Sequence, residues 1–419
     1  MISGPLTRKD RIASIDVLRG LALFGIVIVN AAYFGLPLSE VMNGMDSTDP
    51  LADRITWVLV KVFAEFKFIS IFSLLFGFGI AMQRSRRLAS GQTFAGFGIR
   101  RMVILGFFGM IHALGLWFGD ILFLYAMVGL LLIPMLMLGP KVRLGIAFLG
   151  IAWSTLITVL FALAGLMSPA LPDSETLDLT HRGIQAIWQA GFDPSHPNWT
   201  AGEIVALGDG PFLDAMAFRG MTWVSYVIIS FFSVYWHILG MALIGSWLHD
   251  RNFFSAAGSG LQKTFALTLL PIGLILSIAC GISFWFQEQY PLVALIMSGI
   301  QMVSATMLAL GILAVVTILA NRGRMPLASL FAVVGRMSLT AYLLESVLFI
   351  ALMSHWGLSW FNERSLTELV GLAALVYIAV TIFCLGWSTM FRMGPMEWIW
   401  RQGSYLGTKR SPSKTAQGA

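Results

Sequence analysis

Long runs of apolar residues, separated by short clusters of arginine and lysine, recur along the whole chain. About 20 apolar residues are enough for a helix to cross a bilayer, and such runs are the main signal for membrane spans. We place ten spans near residues 17–36, 57–82, 101–118, 120–138, 143–167, 219–248, 264–286, 291–319, 329–352 and 366–391. The sequence therefore predicts an all-α protein, a polytopic membrane helix bundle of about ten transmembrane helices in a single domain, residues 1–419.

The basic residues collect in every second connection between the predicted spans, and this pattern orients the chain. They lie before the first span and after each even-numbered span, and the polar segment 402–419 adds more of them. Cytoplasmic segments carry the excess of lysine and arginine, so we expect both termini in the cytoplasm and a flexible cytoplasmic tail at 402–419. The first apolar run is too long for the hydrophobic region of a signal peptide, so we expect it to remain as a membrane helix.

The long connection at 168–218 is acidic and has few cations, so we expect an extracytoplasmic loop. Its stretch THRGIQAIWQAG at 180–191 fits either a short amphipathic helix on the outer surface or part of a solvated cap. Loops of this length without structure of their own are uncommon unless they serve a site.

The composition agrees with a lipid environment. Hydrophobic residues make up 57% of the chain and charged residues 11%, against about 25% charged in a typical soluble domain. The net charge of +6 comes from residues at the predicted membrane boundary, so it does not indicate nucleic-acid binding. Cys280 and Cys384 lie in apolar stretches without CxxC spacing, which is typical of core residues and not of a disulfide or a zinc site.

Four polar residues on four predicted helices reach a similar depth in the membrane. Counted at about 1.5 Å per residue from the flanking arginines, Asn30 and His112 lie roughly 16 Å into a core about 30 Å thick. Glu345 and His237 reach the same layer. Ionisable groups at this depth usually mark a functional site, so these four are our candidate catalytic residues in an intramembrane polar chamber. The alternative is four separate structural hydrogen bonds, each worth under about 1 kcal/mol.

A second polar group lies on the outer half of the predicted bundle. Lys67 precedes a short apolar run with Gly77 and Gly79, which allow close helix approach, and Asp120 follows the turn at Gly119. Lys67 and Asp120 are candidate substrate-binding residues. Alternatively, Lys67 snorkels outward to the interface and Asp120 caps the N-terminus of the next helix.

Five motifs carry a resemblance to a known family. They are DVLRGLALFGIVIVN at 16–30, KFISIFSLLFGFG at 67–79, GMIHALGLWFGDILFLYAMVG at 109–129, GRMSLTAYLLESVL at 335–348 and GPMEWIWR at 394–401. Together they resemble the bacterial DUF418 (YeiB-like) integral membrane family over nearly the whole chain. The DVLRGLALFG element is also similar to the start of acyltransferase-3 proteins and of heparan-alpha-glucosaminide N-acetyltransferases.

The resemblance implies a transmembrane acyltransferase, in which an acyl group passes from cytoplasmic acyl-CoA or acetyl-CoA to an acceptor across the membrane. Asn30 falls where the lysosomal acetyltransferases have an active-site asparagine, although here no histidine follows before His112. The family commonly has asparagine and glutamine where this chain has Ala341 and Glu345. We therefore expect Glu345 to be protonated and to substitute for an amide.

The cations at the predicted cytoplasmic boundary suit a CoA donor, which carries several phosphates. Arginine makes bidentate phosphate contacts, so five residues are expected to bind the donor: Arg19, Arg100, Arg101, Arg336 and Arg401. His112 then acts as general base for the acceptor or as a transient acyl carrier, because imidazole titrates near neutral pH. Asn30 donates its amide hydrogen to the thioester oxygen as charge develops there.

Other functions remain open at this stage. A proton-coupled transporter or flippase for a small molecule or lipid would use His112, His237 and Glu345 as a proton relay, and a lipid-binding scaffold would need none of them. The same three residues have no HExxH-like spacing, so no metal is expected. The expected partners are membrane lipids and a small-molecule, glycan or lipid acceptor, and an oligomer stays open. The expected location is the bacterial cytoplasmic (inner) membrane, as a multi-pass protein.

Overall fold

The computed structural model describes residues 13–167 and 196–405, and all regular structure in those ranges is helical. The helices are α1 (Ala13–Gly35), α2 (Leu38–Asn43), α3 (Leu51–Phe63), α4 (Lys67–Ala89), α5 (Ala95–Gly115), α6 (Leu122–Met135), α7 (Pro140–Met167), α8 (Pro197–Glu203), α9 (Phe212–Phe232), α10 (Val234–Asp250), α11 (Ser259–Thr264), α12 (Leu270–Trp285), α13 (Pro291–Asn321), α14 (Ala328–Arg336), α15 (Ser338–Met353), α16 (Leu366–Met390) and α17 (Pro395–Tyr405). Short 3-10 and π-helical turns adjoin α8 and α11. The all-α prediction is confirmed.

Within the described ranges, seven helical segments are long and apolar enough to cross a membrane. They are α1, α5, α7, α9, the continuous run Ala256–Trp285 that contains α11 and α12, α13 and α16. The pair α14 and α15 meets the same requirement as one broken span with a bend of 90°. Large apolar side chains such as Phe107, Leu149 and Leu375 are exposed on the outside, as expected where lipid and not water surrounds the bundle. The chain is therefore a membrane protein, but ten spans are not confirmed.

The difference arises where predicted spans are broken or short. Breaks at Phe66 and Met337 divide the spans predicted at 57–82 and 329–352, whereas the break at Ser233 in 219–248 leaves α9 long enough to count as a span. Phe66 has a left-handed backbone with φ of 62°, which interrupts the helical path. In the fourth case, the helix inside 120–138 is α6, which has 14 residues and is shorter than a usual span. Polar residues do mark two of these breaks, with Glu65 and Lys67 beside Phe66 and Arg336 and Ser338 beside Met337, but the apolar stretches on both sides led to one predicted span across each.

Two predicted features lie largely outside the described residues. The stretch 180–191 and the tail from 406 onward belong to these parts of the chain. The described end of the predicted loop consists of α8, the π-helical turn Ile204–Asp209 and the start of α9.

Helices α4 and α10 meet in backbone contact at two glycines. A Cβ added at Gly77 would lie 1.9 Å from the carbonyl oxygen of Ala242, and one added at Gly245 would lie 1.9 Å from that of Leu74. Small residues are what allow membrane helices to approach this closely. The close approach expected at Gly77 is therefore present, and α10 is its partner.

We expect Gly77→Ala and Gly245→Ala to lower the melting temperature of the purified protein, because each added methyl group overlaps a backbone carbonyl. Overpacking of this kind typically costs about 1–3 kcal/mol. Gly371→Ala in α16 is the matched control, since nothing lies within 4 Å of its Cβ position and alanine is the better helix former. Thermal unfolding in one detergent measures all three variants, and equal melting temperatures would contradict the close contact.

Helix α17 fastens the ends of α5 and α15 on one side of the bundle, called here the arginine side. Glu397 Oε1 accepts the amide hydrogens of Leu339 at 2.7 Å and Thr340 at 3.2 Å, and so caps the N-terminus of α15. Trp400 Nε1 donates to the carbonyl oxygen of Arg101 at 2.9 Å. These bonds fix the direction in which α15 enters the bundle after the bend at Met337.

On the opposite side, a buried carboxyl group joins α8 to α2. Glu203 Oε2 accepts the amide hydrogen of Leu38 at 3.0 Å, and the hydroxyl oxygens of Ser39 and Thr200 are 2.7 Å apart. Burial raises the pKa of Glu203 from its usual 4.5 to about 8, although the hydrogen bond from Leu38 acts in the other direction. Glu203 is therefore mainly protonated at neutral pH in the folded chain.

This raised pKa gives a pH dependence of defined sign. A carboxyl group whose pKa rises on folding stabilises the fold below its unfolded pKa, and this contribution is lost as pH rises through the folded pKa. The window here runs from 4.5 to about 8. We expect Glu203→Gln to remove this dependence, so that the melting temperature of the wild type falls relative to the variant across the window and no further above it. Parallel pH profiles of the two proteins would contradict the role of Glu203.

Candidate functional site

Three buried residues, His112, Asp120 and Ser346, form a hydrogen-bonded chain that is called here the triad. Asp120 Oδ2 lies 2.8 Å from His112 Nδ1, and Ser346 Oγ lies 2.9 Å from His112 Nε2. All three residues have relative exposures of 1% or less. They come from the last turn of α5, the turn before α6, and the middle of α15. The triad therefore joins three elements in the interior of the bundle.

The local chain holds Asp120 in a fixed position. Its second oxygen, Oδ1, accepts the amide hydrogen of Phe123 at 2.7 Å, as expected for a residue that caps the start of α6. Helix α5 passes this turn at Gly109, where an added Cβ would lie 2.6 Å from Asp120 Oδ1. Asp120 therefore does cap α6, as one interpretation of the sequence expected, but only through Oδ1. Its other oxygen, Oδ2, binds His112.

The two bonds to His112 define how its ring can act. With the carboxylate of Asp120 accepting from Nδ1–H, Nε2 carries the lone pair and accepts from the Ser346 hydroxyl. Ser346 Oγ also lies 3.2 Å from the Tyr342 carbonyl oxygen, which is the longer of its two contacts. An orienting acid, a base and a hydroxyl in this order form the arrangement used for nucleophilic and general-base chemistry.

A cavity of about 210 Å³ opens on the arginine side and is called here the arginine cavity. Arg19, Arg101 and Arg336 line it together, although they come from three separate helices. Arg101 also stacks on the Trp400 ring at 3.9 Å. Three of the five arginines expected to bind phosphate therefore meet at one cavity.

Two of those five arginines are placed elsewhere. Arg100 and Arg401 are half-buried but are not among the residues that line the arginine cavity. Arg401 lies over the Tyr405 ring at 5.7 Å. The cavity also contains the carboxyl group of Glu397, which binds the N-terminus of α15. Burial raises the pKa of Glu397, although its hydrogen bonds from Thr340 and Leu339 act in the other direction.

The arginine cavity reaches inward to the neighbours of the triad. Its lining includes Ile121, which follows Asp120, and Tyr342, which lies one helical turn before Ser346. The Tyr342 ring is 5.0 Å from the His112 ring. One tyrosine side chain therefore separates the inner end of the cavity from the triad.

A second, smaller cavity of about 20 Å³ lies on the opposite side of the triad. It is lined mainly by aromatic and aliphatic side chains and is called here the aromatic cavity: Tyr33, Phe34, Leu116, Trp117, Phe118, Leu207, Arg219, Ile350, Met353, Ser354 and Phe361. Helices α1 and α15 contribute to both cavities, and α5 lines the first and leads into the second. The triad thus occupies the polar layer between two openings.

Asn30 lies on the stripe of α1 that faces this layer. Leu23 lines the arginine cavity, and Phe34 stacks on Trp117 at 4.4 Å and on Phe349 at 4.7 Å. At about 100° per residue, Leu23, Asn30 and Phe34 project in nearly the same direction. Asn30 is half-buried on this stripe, and its proximity to His112 remains a prediction.

His237 and Glu345 are buried but stand apart from the two cavities. His237 Nε2 lies 2.7 Å from Ser70 Oγ on α4, and in the described part of the chain its Nδ1 has no partner. Glu345 precedes Ser346, but its side chain projects about 100° away round the helix. Neither residue lines the arginine or the aromatic cavity. Their catalytic roles remain predictions.

Lys67 belongs to a buried polar cluster at the break between α3 and α4. Its Nζ donates to the carbonyl oxygen of Lys61 at 2.5 Å, while Glu65 accepts from Lys61 at 2.7 Å and from Gln301 at 2.6 Å. The side chain is fully buried, so it does not snorkel to the interface. Lys67 lines neither cavity, and its proposed contact with substrate remains a prediction.

Sequence reasoning did not single out Ser346, Tyr342 or Arg219. Arg219 is buried at the aromatic cavity, where its Nε donates to the Leu114 carbonyl oxygen at 3.2 Å. A signal for the other two existed, because Ser338, Tyr342 and Ser346 recur every four residues and so form one polar stripe on a mainly apolar helix. The described residues contain no group of three or more His, Cys, Asp or Glu side chains that could hold a metal ion.

Comparison with known proteins supports the family expected from the motifs. A family model described as a protein of unknown function, DUF418, matches residues 248–407. Two relatives cover nearly the full length of the chain and are each 28% identical to it. The "Uncharacterized protein YxaH" of Bacillus subtilis (strain 168) aligns over 98% of both chains. The "Uncharacterized protein YeiB" of Escherichia coli (strain K12) aligns over 97% of this chain and 100% of its own.

A third relative extends the same pattern. The "Uncharacterized 39.9 kDa protein in amylase 3'region" of Bacillus acidopullulyticus is 27% identical and aligns over 96% of both chains. No solved structure matches the chain. The motifs, the family match over residues 248–407 and the full-length relatives agree, and together they support a DUF418 (YeiB-like) family for this chain.

Proposed function

We propose that this protein is an acyltransferase of the bacterial inner membrane, with the arginine side in the cytoplasm. It takes an acyl group from acyl-CoA or acetyl-CoA on that side and transfers it to an acceptor that enters from the opposite side. The observation that carries the proposal is the position of His112, which is held by Asp120 between two cavities, one of them lined by three arginines. The similarity of the first motif to known acyltransferases supports the same reaction.

The arginine cavity has the chemistry that a CoA donor requires. Its mouth presents Arg19 and Arg336, which suit phosphate groups, while its inner part presents apolar side chains such as Leu23 and Leu105. The phosphates would stay at the mouth and the largely apolar pantetheine arm would lie inside. Arg101 precedes His112 by 11 residues on α5, roughly 16 Å along the helix axis, which an extended pantetheine arm can span.

The triad supplies the proton transfers that acyl transfer needs. His112 Nε2 removes a proton from the attacking group, and the Asp120 carboxylate stabilises the imidazolium that results. The departing CoA sulfur then receives that proton and leaves as the free thiol. Asn30 lies on the stripe that faces this region, where its amide can donate to the developing oxyanion.

A transporter or flippase is the second candidate, and the two cavities favour it. A polar layer closed on both sides by Tyr342 and Trp117 is what alternating access to a central site would require. The acyltransferase also explains the geometry of the triad. Transport would not require the Ser346 hydroxyl to bind Nε2 of a histidine whose Nδ1 is bound to Asp120. Binding of CoA and release of its thiol separate the two candidates.

We expect Arg19→Ala and Arg336→Ala to weaken CoA binding about tenfold or more each, since a hydrogen bond to a charged group contributes about 1.5–3 kcal/mol. Arg100→Ala and Arg401→Ala are matched controls, because these residues lie on the same side but not at the cavity. Calorimetric titration of CoA into the protein in nanodiscs gives the affinities. Equal losses in all four variants would show a diffuse electrostatic attraction and would contradict a phosphate site at the cavity.

We expect His112→Ala to slow the release of CoA from acetyl-CoA and palmitoyl-CoA by about 100-fold to 10,000-fold, because a positioned acid–base group is lost. The helix should persist, since alanine is the best helix former. Thiol release and the melting temperature are measured on the same preparations, with a bacterial lipid extract supplying acceptors. His355→Ala, at an exposed position after α15, is the control. Wild-type rates in His112→Ala would exclude the acid–base role.

A further inference from the structure

We propose that Ser346 is the nucleophile of the reaction and carries the acyl group as an ester between its two halves. This inference rests on the acyltransferase function proposed above and deepens it. Its basis is the bond from Ser346 Oγ to His112 Nε2, at 2.9 Å, on a histidine whose Nδ1 is already bound to Asp120. A general base that only activates an incoming acceptor would leave Nε2 open toward that acceptor.

The first support is that both ring nitrogens of His112 are hydrogen-bonded. A buried histidine that serves only to join helices needs partners, but any donor or acceptor will satisfy it. Here one partner is a carboxylate on Nδ1 and the other is a hydroxyl on Nε2, so the order is orienter, base and nucleophile. His237 provides a contrast within the same chain. It also binds a serine, Ser70, through Nε2, but the described residues offer no partner to its Nδ1.

The second support is the position of Ser346 along α15. Ser338 and Tyr342 line the arginine cavity, and Ser346 follows on the same stripe one turn further. Beyond it, Ile350 and Met353 line the aromatic cavity. Ser346 is therefore the hydroxyl between the two openings, where a donor from one side and an acceptor from the other can reach it in turn.

The third support is a pair of buried donors beside the histidine. The Tyr342 hydroxyl and the Trp117 indole N–H find no acceptor among the described residues. Their rings lie 5.0 Å and 6.4 Å from the His112 ring, on the two sides of the triad. Buried donors are normally satisfied. A carbonyl oxygen that becomes negatively charged next to Ser346 would accept a hydrogen bond from the donor on its own side of the triad, as in an oxyanion hole.

The reaction balances without any further reactant. In the first half, Ser346 Oγ forms a bond to the thioester carbon while its proton moves to His112 Nε2. The carbon–sulfur bond then breaks, and the sulfur takes the proton and leaves as the CoA thiol. In the second half, an acceptor hydroxyl or amine gives its proton to Nε2 and attacks the ester carbon. The bond to Oγ breaks, and Oγ recovers the proton. No atom is oxidised or reduced.

The test uses radiolabelled acetyl-CoA with the full-length protein in nanodiscs, quenched by denaturation before an acceptor is added. We expect label on the chain, and we expect mass spectrometry of its peptides to find one acetyl group on Ser346. Ser346→Ala should lose the label and slow CoA release about 1,000-fold or more. Ser346→Cys should be labelled as a thioester, which neutral hydroxylamine cleaves, whereas the serine ester resists. Ser388→Ala, a helical serine on α16 bonded to the Leu385 carbonyl, is the control.

The outcomes separate this inference from the proposed function. If the wild type releases CoA and Ser346→Ala does so at the same rate, or if the acetyl group is found on His112, the acyl-serine is wrong and the acyltransferase stands. If the wild type neither binds nor cleaves acetyl-CoA or palmitoyl-CoA, the acyltransferase itself fails. An alkyl fluorophosphonate then tests the nucleophile without CoA. Labelling of Ser346 in the wild type but not in His112→Ala supports an activated serine, and equal labelling in both overturns it.

Discussion

A histidine buried between apolar helices needs hydrogen-bond partners on both ring nitrogens, and this requirement organises the centre of the bundle. His112 finds them in Asp120, before α6, and in Ser346, on α15. Leaving a buried polar group without a partner costs about 1–3 kcal/mol, so α15 cannot withdraw from α5 without a penalty at both residues. The bend at Met337 and the bonds of Glu397 to the start of α15 set the direction of this helix, so that Ser346 meets His112.

The same two bonds lie between two cavities in the interior of the protein. The two cavities are separate, and each has its own chemistry. One is cationic at its mouth and apolar inside, and the other is aromatic. A protein that only conducted a solute would gain from a continuous polar path. A protein that receives different reactants from two sides gains from two separate approaches to one reactive group.

The sequence predicted the elements of this arrangement better than their connections. Hydropathy located the apolar helices and depth counting selected His112 and Asn30, because both signals are local. The breaks at Phe66, Ser233 and Met337 were missed because long apolar stretches lie on both sides of each and outweigh the few polar residues between them. Asp120 was predicted to bind substrate and not His112. Its bond to His112 crosses the turn between α5 and α6, and the hydrophobic pattern does not predict the shape of a turn. Ser346, 234 residues from His112, was missed because its polar stripe on α15 is visible in the sequence but does not indicate that α5 is the partner.

The apolar layer also limits how charge can be handled during the proposed reaction. A free thiolate or alkoxide would be costly there, since an isolated charge buried in a low dielectric loses its hydration. His112 can prevent this only if it holds the proton next to both the attacking and the leaving atoms, and Asp120 supplies the single counter-charge that its imidazolium needs. Arg101, roughly 16 Å away along α5, is far enough to bind phosphate without competing for Asp120. Separation of the binding charges from the reacting charges is thus a condition of this chemistry in a membrane, and the fold meets it by placing Arg101 and His112 on different turns of one helix.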